Sequence, residues 1–380
     1  MHSNKASTPS PFTFGIEEEF FLVHPETRNA VARVPANLIK EVRRRFGELV
    51  SPEMLQSQIE ISSPVLRDDA EAREQMSTLR RGLAEVAANR SLSLMAAGTH
   101  PLAAWREQNV TSGARYHEVM AGFQILGLRN LVCGLHVHVA IPNGIDRIDV
   151  MNRALRWLPV FLALSTSSPF WNRQDTGLLS YRQSAYDEWP RSGIPDLLAG
   201  ETEYETFVSV MQRAQALRDA SFLWWAIRPS LRFPTLELRI ADVCTTLDDS
   251  LALAALFRCL IATLVTRPEL GRQRHPHTRM VIEENRWRAK RDGTQMMFID
   301  DLAENVVSLP DVLAELRALI GEYARAFGCE RTLDRLNVVI SSGTSAHKQR
   351  EIYHTHRSAH VPRRRALQYV VDWLVEETAR

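Results

Sequence analysis

The 380-residue chain shows two hydrophobic rhythms. Alternation of apolar and polar positions with a period of two predicts strands near residues 12–23, 55–62, 93–97, 131–141 and 235–243. Between them, apolar residues recur at helical spacing. Residues 68–90 open with Asp68 and Asp69, suited to capping, and carry Met76, Leu79, Leu83 and Val86 on one face. Residues 146–165, 247–265, 311–327 and 364–378 have the same periodicity, with Asp248 and Asp249 where a helix amino terminus favours negative charge. Helix should exceed strand. Long helical stretches between strands, without strict alternation or Gly-rich turns, predict an α+β fold with a mainly antiparallel sheet.

Alternation also sorts the strands' chemistry. Side chains two apart share a face, so in FTFGIEEEFFLV Glu17 and Glu19 project together, while Ile16, Glu18, Phe20 and Leu22 point the other way. In LVCGLHVHVAI, Leu131, Cys133, Leu135, Val137, Val139 and Ile141 form an apolar face, and His136 and His138 share the opposite face with Gly134. FPTLELRIADV places Glu237 and Arg239 opposite Leu236, Leu238 and Ile240. In SPEMLQSQIEISSP, Glu60 stands among Leu55, Ile59 and Ile61, and Glu53 lies where the chain can curl toward the same place. Alone, the Glu17–Glu19 and Glu60 strands read as faces turned to water and a lone His as a core residue. Two His at i and i+2 can grip a metal together or divide, one ligating and the other, His138, contacting substrate. Four strands with the same division predict one shared polar cavity. Carboxylate oxygens with an imidazole suit the hard cations Mg²⁺ or Mn²⁺ better than zinc, and Mg²⁺ held by carboxylates with open positions points to phosphate chemistry. Arg228, Arg232 and Arg239, and in ENRWRAKRDG Arg286 and Arg288, are candidates to meet a phosphoryl group or a substrate carboxylate. The glycines of GTHP and SSGTSAHKQR are weaker candidates for loops that approach phosphate.

Composition narrows the classes. Lys and Arg number 46 against 45 Asp and Glu, so the net charge of +1 argues against a dedicated nucleic-acid binder or a polybasic membrane-surface protein, and 45% hydrophobic residues supply a sizeable core. The basic run Arg363–Arg365 reads as a solvated helix start. Cys133, Cys244, Cys259 and Cys329 are widely spaced, which suggests neither a disulfide framework nor a cysteine zinc site and fits a reducing cytoplasm. The longest apolar segment, 251–265, is interrupted by Arg258 and reads as a buried helix rather than a membrane span. Residues 1–11 are polar and read as a disordered lead-in, followed by one catalytic domain over residues 12–380.

In order along the chain, GIEEEFFLVHPET, LQSQIEISSPV, GTHPLAAWREQNVT, CGLHVHVAIP, SPFWNRQDTGLLSYR, WPRSGIP, IRPSLRFPTLELRIADV, ENRWRAKRDG and GTSAHKQR resemble the carboxylate-amine ligases of the YbdK type, the glutamate-cysteine ligase 2 group. The resemblance implies a glutamine-synthetase-like fold, a curved, mainly antiparallel sheet forming a funnel with helices packed outside. It implies ATP as co-substrate, Mg²⁺ as cofactor, a glutamate-like carboxylate and a cysteine-like amine as substrates, and a possible homodimer. It assigns metal binding to Glu17, Glu19, Glu53, Glu60, His136 and Glu237, and catalysis to Glu237 and Arg239. Two departures bear on the substrate pocket: Ala226 stands where an acidic residue is expected, and Gly343, Thr344, Ser345 and Ala346 replace a Gly-Asn-Gly-Ala segment. Two rivals stay open, a metal-dependent hydrolase built on His136 and His138, and a nucleotide- or amino-acid-binding relative without turnover.

Overall fold

The computed structural model describes residues 11–380, so the expected lead-in lies, but for Pro11, outside the described residues. Among these residues the largest sheet has seven strands: Phe14–Val23 (β1), Val50–Pro52 (β2), Gln58–Ser62 (β3), Ser93–Met95 (β4), Leu135–Ala140 (β5), Ile227–Pro229 (β6) and Thr235–Leu238 (β7). Their order is β6-β7-β5-β1-β3-β2, with β4 pairing to the carboxyl-terminal end of β1. Every pairing is antiparallel. The fold is α+β, as the alternation of rhythms implied.

Register aligns the polar positions across the sheet. Glu60 lies opposite Ser51 on one side and Glu19 on the other. Glu17 pairs with His136, His138 with Glu237, and Glu237 with Arg228. On the other face Ile16, Phe20, Leu22, Ile59, Ile61, Leu135, Val137, Val139, Leu236 and Leu238 are wholly buried. A one-residue slip of any strand would exchange these two sets, so burial of the apolar face holds the polar row in line.

Helices cover the apolar face. Leu247–Thr266 packs against β5 and the helix Asp69–Ala88. Its amino terminus is capped by Thr246, whose hydroxyl accepts from Asp249 N at 3.3 Å, and Asp68 caps the other helix by accepting from Glu71 N at 2.8 Å. Leu247–Thr266 is long and apolar enough to cross a membrane, yet 83% of its apolar stretch is buried inside the protein. Arg258, which interrupts that stretch, is itself buried: Nε donates to Phe12 O at 2.8 Å and Nη2 to Arg67 O at 2.6 Å, over the Phe327 ring. Cys259 and Cys329 meet in this core as free thiols, Sγ to Sγ 3.4 Å, a neighbourhood hidden by their separation of 70 positions along the chain.

Glu18 has no counterpart in the strand-face scheme, being a carboxylate on the apolar face. Arg80 comes from the helix Asp69–Ala88 to meet it, donating from Nε at 2.7 Å and Nη2 at 2.5 Å. Arg80 also donates to the carbonyls of Cys244 and Thr245 and to Ser250 Oγ. The pair is buried, and its remaining donors are all satisfied, which is what such a pair requires.

Two helical expectations change. The single helix over 146–165 is broken into Arg147–Ala154, a tight turn Leu155–Trp157, and Leu158–Ser165. Pro159, at the start of the last piece, has no N–H to continue the ladder. SSGTSAHKQR is largely helix rather than loop. Gly343 turns the chain with φ +80, and Ser345–Ser358 is a helix whose start is closed by reciprocal hydrogen bonds between Thr344 and His347.

Removing one member of the Glu18–Arg80 pair strands the other charge in the core. Arg80→Ala should lower stability by about 3–5 kcal/mol in urea denaturation. A double change, Glu18→Leu with Arg80→Met, should recover most of the loss.

Candidate functional site

The polar face of the sheet borders a cavity of about 460 Å³. Glu17, Glu19, Glu53, Glu60, His136, His138, Arg228, Arg232, Glu237 and Arg239 all line it. Glu53 reaches it from the turn after β2, its Oε2 accepting from Met54 N at 3.0 Å. Ligand atoms converge in three overlapping groups: Glu17, His138 and Glu237; Glu17, Glu60 and His136; and Glu19, Glu53 and Glu60. Within each, the atoms lie within 4.8 Å of one another.

Charge is balanced differently along this row. At the β6–β7 end, Arg228 grips Glu237 through Nε at 2.7 Å and Nη2 at 3.2 Å, and Arg239 Nη1 donates to the same carboxylate. Burial opposes ionisation of Glu237, but Arg239 and Arg228 outweigh it and hold the carboxyl well below its usual range. In the middle, His136 Nδ1 lies 3.3 Å from Glu17 Oε2, and His138 Nε2 lies 3.5 Å from Glu17 Oε1, long for a hydrogen bond. Burial again opposes ionisation, and the two imidazoles overcome it, lowering the Glu17 carboxyl. At the far end no arginine is bonded to Glu19, Glu53 or Glu60. Burial, with the charge of Glu53, pushes Glu19 up to about 8. Burial raises Glu53, and burial with the neighbouring carboxylates raises Glu60 further.

These features fit a bound divalent cation. His136 Nε2 and His138 Nε2 are buried without a hydrogen-bond partner. With the Nδ1 proton of His136 directed at Glu17, its Nε2 lone pair is turned toward the carboxylates, 4.0 Å from Glu19 Oε1. Burial and the charge of Arg239 lower the His136 imidazolium to about 4, so the ring is neutral, the state that can ligate.

Gly134 makes the floor possible. A β-carbon there would stand 2.2 Å from Arg182 Nη2, the buried guanidinium that runs beneath the strand to Arg239 O, and Gly134 N donates to Glu19 Oε2 at 2.6 Å. Arg182 gave no signal in the alternation pattern because it comes from a short helix, Tyr181–Tyr186. Arg115, Tyr116, Arg218 and Trp224 also line the cavity and were not anticipated. They lie on a helix, Ala114–Phe123, and on irregular chain or a two-residue strand, which present no strand-face pattern.

Several expectations are corrected. Arg286 and Arg288 do not line the cavity. Arg286 is buried against Asp187, Gln183 and Glu283, and Arg288 lies at the surface with Glu284 and Met297 O. Both belong to Thr278–Asp292, a helix outside the sheet, where a basic run is used for packing. Arg228 spends four of its five N–H donors on Glu237 and the carbonyls of Ser221 and Leu223. The GTHP glycine is a packing residue, since a β-carbon on Gly98 would meet Asp242 at 2.8 Å. Neither departure from the family pattern reaches the cavity. Ala226 is buried with N donating to Gly193 O and its carbonyl accepting from Arg239 N, and Thr344 and Ser345 bond to Thr166 and Thr245.

Solved structures of low sequence identity share this architecture along nearly the whole chain. Glutamate–cysteine ligase from Francisella tularensis, in complex with AMP, matches with a TM-score of 0.72 at 12% identity, covering 97% of this chain and 89% of that one. A bifunctional glutathione synthetase from Pasteurella multocida gives 0.71 at 13%, covering 97% and 52%. The fold is that of the glutamine-synthetase-like ligases. The sequence profile of glutamate–cysteine ligase family 2 matches residues 13–367, and the chain belongs to that family. Proteins named "Putative glutamate–cysteine ligase 2" from Bradyrhizobium sp. (strain ORS 278) and Ectopseudomonas mendocina (strain ymp) are each 41% identical to it, covering 90% and 96% of this chain and 83% and 97% of their own. The protein is accordingly an ATP-dependent ligase that joins a carboxylate to an amine.

The raised carboxyls set a pH dependence. Glu19 keeps its proton in the fold up to about 8, whereas the unfolded carboxyl ionises near 4.5. Its contribution to stability is therefore complete below the unfolded value and is lost as pH rises through the folded one, and Glu53 and Glu60 shift in the same direction. Protein stripped of cations with EDTA should lose thermal stability as pH rises from about 4.5 to about 8. Added Mg²⁺ should raise Tm more at the higher pH, because a cation there no longer displaces protons.

Proposed function

We propose that the cavity forms an amide bond between a glutamate-like carboxylate and a cysteine-like amine, using ATP and Mg²⁺, with Mn²⁺ able to substitute. The observation that carries this reading is the unbroken row of carboxylates and imidazoles across β3, β1, β5 and β7, ending at Arg239. Glu17, Glu19, Glu53, Glu60, His136 and Glu237 would hold the cation, with His138 beside them. A bound Mg²⁺ supplies positive charge to polyphosphate oxygens.

The substrate carboxylate attacks the γ-phosphorus of ATP, forming an acyl phosphate and releasing ADP. The amine then attacks the acyl carbon, and phosphate leaves. Arg239 would meet the charge on the phosphoryl group. Its Nη2 bonds Tyr186 Oη at 3.2 Å, its Nη1 holds Glu237, and its Nε is buried without a partner. Arg228 fixes Glu237 from the other side, so that this carboxylate keeps one orientation as charge moves.

The reading extends to the protein's setting. ATP chemistry and four free cysteines suit the cytoplasm, and the family resemblance implies a homodimer.

The test is a coupled ADP-release assay with Mg²⁺, crossing glutamate and related carboxylates against a panel of amines. ADP formation should require both substrates. Glu17→Gln and Glu237→Gln should each reduce kcat by at least about a hundredfold. Retained turnover would remove these residues from the machinery, and turnover without ATP on a zinc-loaded protein would favour a hydrolase.

A further inference from the structure

Of the four cysteines, two meet. Among the described residues Cys259 and Cys329 are the only thiols in contact with each other, Sγ to Sγ 3.4 Å, whereas Cys133 Sγ accepts from Gln58 Nε2 at 3.5 Å. Neither lines the cavity. Cys259 stands on Leu247–Thr266, the buried helix that packs on β5 and on the helices Leu309–Ala326 and Glu330–Leu333. Cys329 is the residue just before Glu330–Leu333.

Three features of this pair go beyond packing. The sulfurs already touch, so a bond between them needs a closure of only about 1.3 Å. Cys329 is buried one residue below the surface: Gly328 and Glu330 on either side of it are exposed, and Gly328, at φ +66, turns the chain out of the preceding helix. Opening that one turn uncovers a sulfur without opening the sheet. The third feature is Arg258, the neighbour of Cys259. Its guanidinium lies 4.0 Å over the ring of Phe327, two residues before Cys329, and its Nη1 is buried without a partner. The hydrogen bond to Cys329 and burial push the Cys259 thiol up, and the charge of Arg258 opposes both. A fixed cation with an unused donor favours the thiolate, the form of sulfur that reacts.

We propose that Cys259 and Cys329 form a two-electron oxidation site, at which a peroxide closes a disulfide that staples Leu247–Thr266 to the turn before Glu330–Leu333. The Cys329 thiolate attacks one peroxide oxygen. The O–O bond breaks, a sulfenic acid forms, and the other oxygen leaves as water with the proton that Cys329 released. The Cys259 sulfur then attacks the Cys329 sulfur, the S–O bond breaks, and a second water leaves with the Cys259 proton. The two sulfurs give up two electrons, and the peroxide takes them. With its neighbour in contact, the sulfenic acid condenses before a second peroxide carries it to sulfinic acid. A dithiol reverses the reaction. The bond joins positions 70 apart, so it restricts the unfolded chain and stabilises the fold. This site is independent of the ligase reading.

The test exposes the intact protein to hydrogen peroxide, alkylates it after denaturation and digests it. The expected product is one cross-linked pair of peptides joining Cys259 to Cys329, lighter by two hydrogens than the reduced peptides together, with Cys133 and Cys244 still alkylated. The thermal midpoint should rise by about 3 °C or more and return on treatment with dithiothreitol. Cys329→Ser, at the residue nearer the surface, should abolish both the cross-link and the rise. Four alkylated thiols after peroxide, a sulfinic acid at Cys259 or Cys329 in place of the disulfide, a cross-link through Cys133 or Cys244, or a midpoint that does not rise would each overturn the proposal. The unsubstituted protein gives all these readings, so the outcome does not depend on how well the variant folds.

Discussion

Four glutamates and two histidines share one face of a single sheet, Glu53 joins them from the turn after β2, and their mutual repulsion and desolvation are the constraint around which the rest of the molecule is built. Like charges a few ångströms apart in a half-buried site cannot all stay ionised without compensation. The structure compensates by position. Glu237 is neutralised by two arginines, the two imidazoles beside Glu17 favour its ionised form, and burial raises Glu19, Glu53 and Glu60.

Holding such a row in line requires the opposite face to be unusually firm. Alternation gives that face Ile16, Phe20, Leu22, Val137, Val139 and their neighbours, and the buried helix Leu247–Thr266 packs on them. Glu18 and Arg80 tie this layer to the helix Asp69–Ala88 through a pair whose donors are also spent on backbone carbonyls of the segment leading into Leu247–Thr266. Slippage of one strand would therefore break the core and that network at once, which is why the polar register is a property of the apolar side.

The arginines show why residue type alone assigns so little. Arg228, Arg286 and Arg288 look alike in sequence. In the fold Arg228 buttresses a carboxylate, Arg286 packs a helix, and Arg288 lies at the surface. Arg115, which lines the cavity, and Arg182, which packs against Gly134 and bonds Arg239 O, come from helices whose sequences carry no strand alternation.

Alternation with a period of two was enough to separate the cavity face from the core face, because a strand admits only two directions for a side chain. It selected Glu17, Glu19, Glu60, His136, His138, Glu237 and Arg239, and the structure brings all seven to one cavity. The motifs added the family. Tertiary structure alone decided which strands are neighbours, which arginines keep free donors, and which glycines yield to packing rather than to a ligand, because those outcomes depend on contacts between residues far apart in the chain. Glu18 is the plainest case: its place among apolar residues can be read from the sequence, but its partner lies 62 residues away on a helix.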